Sequence, residues 1–466
     1  MTTTGSATPR FRAYSRRRFL AAAGATAAWS VTVVPRHVLG GPEHLPPSER
    51  VRVAGIGAGG MGGGDIATHA QNGADVVALC DVDDQRASGS FAAFPKAARY
   101  KDFRQMFDKE SKRIDAVTVG TPDHVHAVAT AAAIHAGKHV YCQKPLTHTL
   151  LECRTVTEAA RAAGVMTQMG NQGHATEGAR LTNEWIQAGV IGEIREVHTW
   201  SDRAGALWKQ GIDRPTETPP VPATLDWNLW LGPVRERPYH PMYAPVGWRG
   251  WWDFGTGALG DMGAHIIDHP VWALGLGPPA VVEARATIDG SVLEGNKRNF
   301  ETYPIAAIIT FEFPARGSRP AVTLTWYEGG LMPPTPPEMA RAKGWRRLHE
   351  NGVLYAGTKG KMHHGSHGGM PQLLPSELHE EAAKVPKTMK RSPGHYEEWL
   401  LACKGGPKPV SSFDYAGPLT EILLLGVLAL RAPGRRLEWD SANMKVTNAP
   451  ELNPFVHIAY RKGWSL

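Results

Sequence analysis

Residues 51–70 read VRVAGIGAGGMGGGDIATHA, and the reading of this stretch decides the fold. Val51–Ile56 is a short, β-branched run of the kind that forms a buried parallel strand. It passes into glycines and then into a helix-like segment. Two G-x-G-x-x-G frames fit, Gly55/Gly57/Gly60 and Gly57/Gly59/Gly62; the second is preferred because it keeps Ile56 inside the strand. Glycines at these spacings permit a tight turn, let a backbone approach a pyrophosphate, and let the helix pack on the strand. The helix amino terminus then faces the phosphates.

Working outward, ADVVALCD (74–81) reads as a second strand ending in Asp81, 19 residues after Gly62. An acid here accepts hydrogen bonds from the adenosine ribose and disfavours a 2′-phosphate, so NAD is expected over NADP. Arg86, close by in sequence, leaves NADP as the alternative. IDAVTVGTPDHVHAVATAAAIHAGKHVYCQKPL (114–146) then holds a strand, a loop, a helix and another strand. Strands alternating with helices at this spacing predict a parallel, doubly wound sheet. Loops at the carboxyl ends of its strands face a cofactor crevice, which places Thr121, Pro122, His126, Lys144 and Pro145 beside it.

Composition sets the bounds. A chain of 466 residues suggests two domains, and 42% hydrophobic with 20% charged residues is ordinary for a globular protein. The net charge of +7 misleads, because residues 1–48 hold six Arg against one Glu; the remainder carries +2. That excess is too small to argue for nucleic acid, and no basic stripe interleaved with aromatics appears. Cys80, Cys142, Cys153 and Cys403 show no C-x-x-C spacing; they propose neither a metal site nor a disulfide framework. Cys80 and Cys142 read as small core residues.

SRRRFL (15–20) followed by AAAGATAAWSVTVV is similar to a twin-arginine (Tat) export signal. The apolar stretch is short for a membrane span. The expected location is periplasmic or otherwise extracytoplasmic, with a membrane tether where the signal stays uncleaved. The Tat translocase is then the partner during export, which carries folded protein and suits a cofactor loaded in the cytosol. Residues 40–49, GGPEHLPPSE, read as a linker.

GALGDMGAHIIDHP (257–270) places Asp261 and His265 four apart, on one face of a helix, among glycines that allow a ligand close to the backbone. Three readings compete. His265 exchanges a substrate hydroxyl proton while hydride leaves, with Asp261 orienting the imidazole or binding a neighbouring hydroxyl. Alternatively Asp261, His265, Asp268 and His269 ligate a cation, or the pair is packing. Nine of the fifteen Trp fall between 185 and 272; Trp248, Trp251 and Trp252 are the candidates for a sugar platform. KMHHGSHGG (361–369) reads as a loop without a metal. FDYAGPLTEILLLGVLALR (413–431) reads as an apolar helix.

Taken in order, the glycine loop, CD, GTPDHVHA, GKHVYCQKP and GDMGAHIID resemble the glucose–fructose oxidoreductase/inositol 2-dehydrogenase (Gfo/Idh/MocA) family. The resemblance implies an α/β fold: an amino-terminal Rossmann doubly wound parallel sheet, then an α/β domain with a mostly antiparallel sheet that serves substrate binding and oligomerisation. The expected division is 1–49 signal and linker, 50–170 Rossmann domain, and 171–466 substrate domain. The resemblance assigns Gly57, Gly59, Gly62, Asp81, Thr121, Pro122, His126 and Lys144 to the cofactor, and Lys144, Asp261 and His265 to catalysis. Position 143 departs from it: Gln stands where the family usually has Glu. The activity implied is NAD-dependent oxidation of a secondary alcohol on a small carbohydrate, by a homodimer or homotetramer. The alternatives are a NAD-assisted glycoside lyase or hydrolase working through a transient keto-sugar, and a non-catalytic sugar-binding protein with a structural nucleotide.

Overall fold

A computed structural model describes residues 49–287, 301–341 and 348–466. The twin-arginine stretch lies outside the described residues. Residues 51–466 form one compact unit built on two sheets.

The first sheet contains β1 (Arg52–Ile56), β2 (Asp75–Cys80), β3 (Ala98–Tyr100), β4 (Ala116–Val119), β5 (His139–Cys142) and β6 (Thr167–Met169). Their order is β3-β2-β1-β4-β5-β6 and every pairing is parallel. Val53, Ala54, Ile56, Val117 and Val119 are all buried, because helices cover both faces. This is the doubly wound order that opens a crevice between β1 and β4 at their carboxyl ends. Cys80 and Cys142 are fully buried strand ends and behave as small apolar residues.

The second sheet runs β13-β12-β11-β7-β10-β9-β8-β14-β15. Its members are β7 (Ile194–Ser201), β8 (Val281–Ala286), β9 (Ala307–Phe313), β10 (Val322–Glu328), β11 (Gly352–Gly357), β12 (Lys361–Gly365), β13 (Gln372–Leu374), β14 (Arg436–Asp440) and β15 (Lys445–Val446). Only the β7–β10 pairing is parallel; the rest are antiparallel. Strand β9 shows why one face is covered: Ala307, Ile309, Phe311 and Phe313 are buried while the residues between them are half-exposed. The apolar Phe413–Ala429 helix packs against the Leu150–Ala163 helix and the Gly257–Ile266 helix, tying both sheets into one core.

Two sequence expectations change here. Part of KMHHGSHGG is strand β12, not loop, because Met362, His363 and His364 are buried in antiparallel pairing with β11. The glycines of the Gly257–Ile266 helix make room for protein, not ligand. A Cβ on Gly260 would lie 1.9 Å from the Thr256 hydroxyl, and one on Gly263 would lie 2.6 Å from Leu423 of the late helix.

Candidate active site

The crevice is a cavity of about 390 Å³, walled on one side by the strand ends and loops of the first sheet and on the other by the 203–249 segment, the Gly257–Ile266 helix and His367. At one end the backbone turns out of β1. Gly57 has φ +81°, and a Cβ there would lie 2.6 Å from the Gly120 carbonyl carbon at the end of β4. A Cβ on Gly62 would lie 2.1 Å from the Gly57 carbonyl oxygen, so the helix Gly60–Gln71 can start where it does only with glycine there. Gly59 caps that helix without a side chain, which leaves its first-turn amides facing the loop. The residues present therefore fit a dinucleotide: a bare helix amino terminus, a close-approach turn and an acid at the next strand end. Asp81 accepts hydrogen bonds from Ala58 N at 2.8 Å and Gly59 N at 3.1 Å. Burial pushes its carboxyl up from the ordinary value, and these amides oppose that. Asp81 thus braces the glycine loop as well as lining the cavity. The Arg86 side chain lies across Gly59 and Gly60 on the same wall.

At the other end stand Lys144, Asp261 and His265. Lys144 follows β5, and Asp261 and His265 come from the Gly257–Ile266 helix. The Lys144 Nζ donates to Asp261 Oδ1 at 2.7 Å and to the Asp261 carbonyl at 2.9 Å. Arg249 Nε donates to the same Oδ1 at 3.1 Å. Burial would raise the Asp261 carboxyl, but Lys144 and Arg249 outweigh it and hold it at about 2. No hydrogen bond joins Asp261 to His265 among the described residues. The carboxylate is committed to two cations, so it orients Lys144 and Arg249 rather than the imidazole. His265 instead stacks on His367, with ring centroids 4.0 Å apart. Its Nδ1 is buried without a partner among the described residues. Burial, together with the positive charge of Lys144, keeps its pKa well below the ordinary imidazole value.

The TPDHVH segment holds these halves together. Thr121 and Pro122 line the cavity. His126 also borders it, but both ring nitrogens are engaged: Nδ1 with the Pro145 carbonyl at 2.8 Å and Nε2 with the Thr121 carbonyl at 2.9 Å. Two carbonyl partners favour a doubly protonated ring. Burial opposes that charge, yet the Cys142 thiol and the two carbonyls carry the imidazole above its ordinary value. His126 is a clamp between two loops. Replacing it with Ala should cost about 2–4 kcal/mol, from two buried carbonyls left unpaired, read as a lower denaturant midpoint. Because its folded pKa is raised, the stability from its charge is complete below the unfolded value and is lost as pH rises through the folded one. The variant should lack that alkaline component.

Four residues escaped the sequence reading. Asp123, in the first turn of the Asp123–His135 helix, accepts from the Thr256 hydroxyl at 2.6 Å; burial raises its carboxyl to about 7. Arg249 stacks on Trp248 at 4.1 Å. Arg203 and His367 line the same cavity. His367 has φ +58°, a left-handed conformation costly for a non-glycine residue. Asp123 lies inside the TPDHVH segment and His367 inside KMHHGSHGG, but neither was singled out there; Arg203 and Arg249 belong to no spaced motif and arrive by tertiary packing. Of the three candidate tryptophans, only Trp248 lines the cavity, joined there by Trp208, Trp230 and Trp464. Trp251 and Trp252 are buried, with Trp252 donating to the Thr302 carbonyl at 2.8 Å and packing on Tyr303.

Gln143 donates to Asp65 Oδ2 at 2.7 Å, and the Tyr396 hydroxyl donates to Asp65 Oδ1 at 2.8 Å. A carboxylate therefore lies one residue removed from the QKP corner. Burial raises it to about 6, against the hydrogen bonds and the charge of Lys144. In the 261–269 stretch, Asp268 pairs with His174 at 3.0 Å and accepts from the Tyr415 hydroxyl at 2.6 Å, and Asp261 is held by Lys144 and Arg249; among the described residues no group of three or more His, Cys, Asp and Glu is placed to hold a metal. No helix of the described residues is long and apolar enough to cross a membrane.

Comparison with known proteins supports the same fold. Residues 51–171 match the oxidoreductase family described as GFO_IDH_MocA, NAD-binding Rossmann fold, and residues 179–289 match its C-terminal alpha/beta domain. Inositol 2-dehydrogenase of Salmonella typhimurium is 32% identical over 150 residues, 31% of this chain and 44% of the relative. Levoglucosan dehydrogenase of Pseudarthrobacter phenanthrenivorans is 27% identical over 175 residues, 37% of this chain and 36% of the relative. The chain thus spans under half the length of these relatives. Among solved structures, the WlbA dehydrogenase of Bordetella pertussis, crystallised with NADH and UDP-GlcNAcA, shares the fold with a TM-score of 0.57 at 17% identity. That match covers 84% of this chain and 99% of that one.

Proposed function

We propose, from the match of residues 51–171 and 179–289 to the two domains of Gfo/Idh/MocA oxidoreductases, that the chain is an exported, NAD-dependent enzyme that oxidises a secondary alcohol of a sugar, polyol or glycoside to a ketone. One observation carries the reading. Lys144 and Asp261, distant in sequence, meet at 2.7 Å beside His265 in the cavity that begins at the glycine loop. NAD⁺, when bound, supplies the hydride acceptor.

The chain's own residues do the rest. Gly57, Gly59, Gly62 and Asp81 shape the dinucleotide end. Lys144 has three N–H donors, two of them spent on Asp261, and the remaining one serves a substrate oxygen. As that hydroxyl loses its proton, the ammonium stabilises the developing alkoxide. His265, neutral at physiological pH, takes the proton at a ring nitrogen. Asp261 fixes the lysine in place.

The twin-arginine sequence supports export, and a cofactor carried out inside a folded protein suits a compartment without free NAD. The test is to incubate purified protein and NAD⁺ with sugars, polyols and glycosides, following absorbance of NADH and product masses. Net NADH with a product two mass units lighter is the expected result. Glycoside cleavage without net NADH would instead identify the lyase or hydrolase cycle. Bound nucleotide with no turnover across the panel would leave a binding protein.

A further inference from the structure

The two ends of the cavity differ in charge. At the glycine-loop end the acids Asp81, Asp83 and Asp102 face Arg86 and Lys101. At the catalytic end three cations, Lys144, Arg203 and Arg249, face one ionised carboxylate, Asp261. Lys144 and Arg249 share a single oxygen of that carboxylate. The guanidinium of Arg203 has no hydrogen bond or ion pair among the described residues; only its backbone is engaged, the N–H donating to Ser201 Oγ at 3.2 Å and the carbonyl accepting from Leu207 N at 3.4 Å. Arg249 spends Nε on Asp261 and Nη1 on the Val246 carbonyl, so its Nη2 edge remains uncommitted among the described residues. Stacking on Trp248 fixes that edge in place.

A cavity wall with an excess of positive charge is costly unless something negative occupies it. The neighbouring imidazoles register the excess. After burial, Lys144 and Arg203 both depress His367, and both contribute to depressing His265. Asp123 offsets little, since burial holds its carboxyl near neutrality at about 7.

We infer that the substrate carries an anionic oxygen group, a carboxylate or a phosphate on the sugar or polyol, received by Arg203 and the free edge of Arg249. Guanidinium forks match either group through paired N–H donors. The reactive hydroxyl then lies on the Lys144–His265 side of the same pocket. This inference rests on the proposed carbohydrate oxidation but fails separately from it.

The experiment uses the purified protein with its nucleotide bound. Three probes share one ring: methyl β-D-glucuronide, glucose 6-phosphate and methyl β-D-glucoside. Equilibrium binding is followed through tryptophan fluorescence, since Trp208 and Trp248 line the cavity, and turnover through NADH. One anionic probe should bind at least about 30-fold more tightly than the neutral glucoside, and which one does so names the anion. Arg203→Gln should collapse that ratio by about 10-fold or more, acting mainly on KM, with Arg203→Lys intermediate. Added salt should weaken the anionic arm selectively. Equal binding of charged and neutral probes overturns the inference, and so does an Arg203→Gln variant that weakens both alike. Binding without NADH production refutes the oxidation while leaving anion recognition standing. NADH from neutral sugars, with no charge preference, does the reverse.

Discussion

Lys144→Met lowers kcat by about three orders of magnitude or more, while dinucleotide affinity changes by less than about tenfold. The asymmetry follows from position. The ammonium sits 2.7 Å from Asp261 at the catalytic end, whereas the glycine loop at the other end is built from backbone. Methionine keeps the stem packed but removes the charge that an alkoxide needs. Arginine should not rescue, because a planar fork cannot replace a compact ammonium between two oxygens of one residue. A second readout guards against a merely structural role. In the wild type the Asp261 carboxyl is held at about 2, below its unfolded value. Its contribution to stability is complete above that unfolded value and is lost as pH falls through about 2. Removing Lys144 leaves Arg249 alone to hold the carboxylate, so the window of loss moves upward. Acid denaturation of the variant should begin at higher pH than in the wild type. A normal kcat with Met at position 144 would remove the residue from the mechanism.

What the sequence could and could not display follows from how each feature is encoded. The nucleotide end is local: strand, turn and helix lie within twenty residues, and steric contacts dictate glycine at Gly57 and Gly62. Such rules leave a readable spacing. The doubly wound sheet is legible for the same reason, through alternating strand and helix patterns. The Lys144–Asp261 pair spans 117 positions; the resemblance assigns both residues to catalysis, but neither it nor spacing pairs them. Asp261 and His265 do share a helix, yet helical spacing is silent on rotamers, and the carboxylate turned toward two cations instead of the imidazole. Arg203, Arg249 and His367 sit on segments with no periodicity. His367 reaches His265 because Gly173 and Gly178 let the 367–369 backbone close on the 173–178 segment, a contact no local pattern records. The tryptophans fail differently. Their clustering signalled a special region, but an indole suits a core as well as a sugar, and Trp251 and Trp252 went to the core.

His265→Ala should cost about 10²–10⁴-fold in kcat, the range for a positioned general base. The more telling measurement is the pH profile of the wild type. Burial and the cations beside His265 hold its pKa well below the ordinary imidazole value. The free enzyme therefore keeps a neutral, proton-accepting ring at pH values where a surface histidine would be charged. The acidic limb of kcat/KM, which reports the free enzyme, should lie well below 6.5. The same repulsion makes His265 a reluctant acceptor, since the imidazolium formed in the reaction faces Lys144 and Arg203 at close quarters. An anion lodged on Arg203 would cancel part of that repulsion. The acidic limb of kcat, which reports the substrate complex, should then lie above that of kcat/KM for a charged sugar, and the gap should close for a neutral one. Arg203→Gln should raise the free-enzyme limb by removing one of the opposing charges. If both limbs fall at or above 6.5 and ignore substrate charge, His265 is not the base, and the proton leaves by another group in the cavity, with Asp123 at about 7 the next to test.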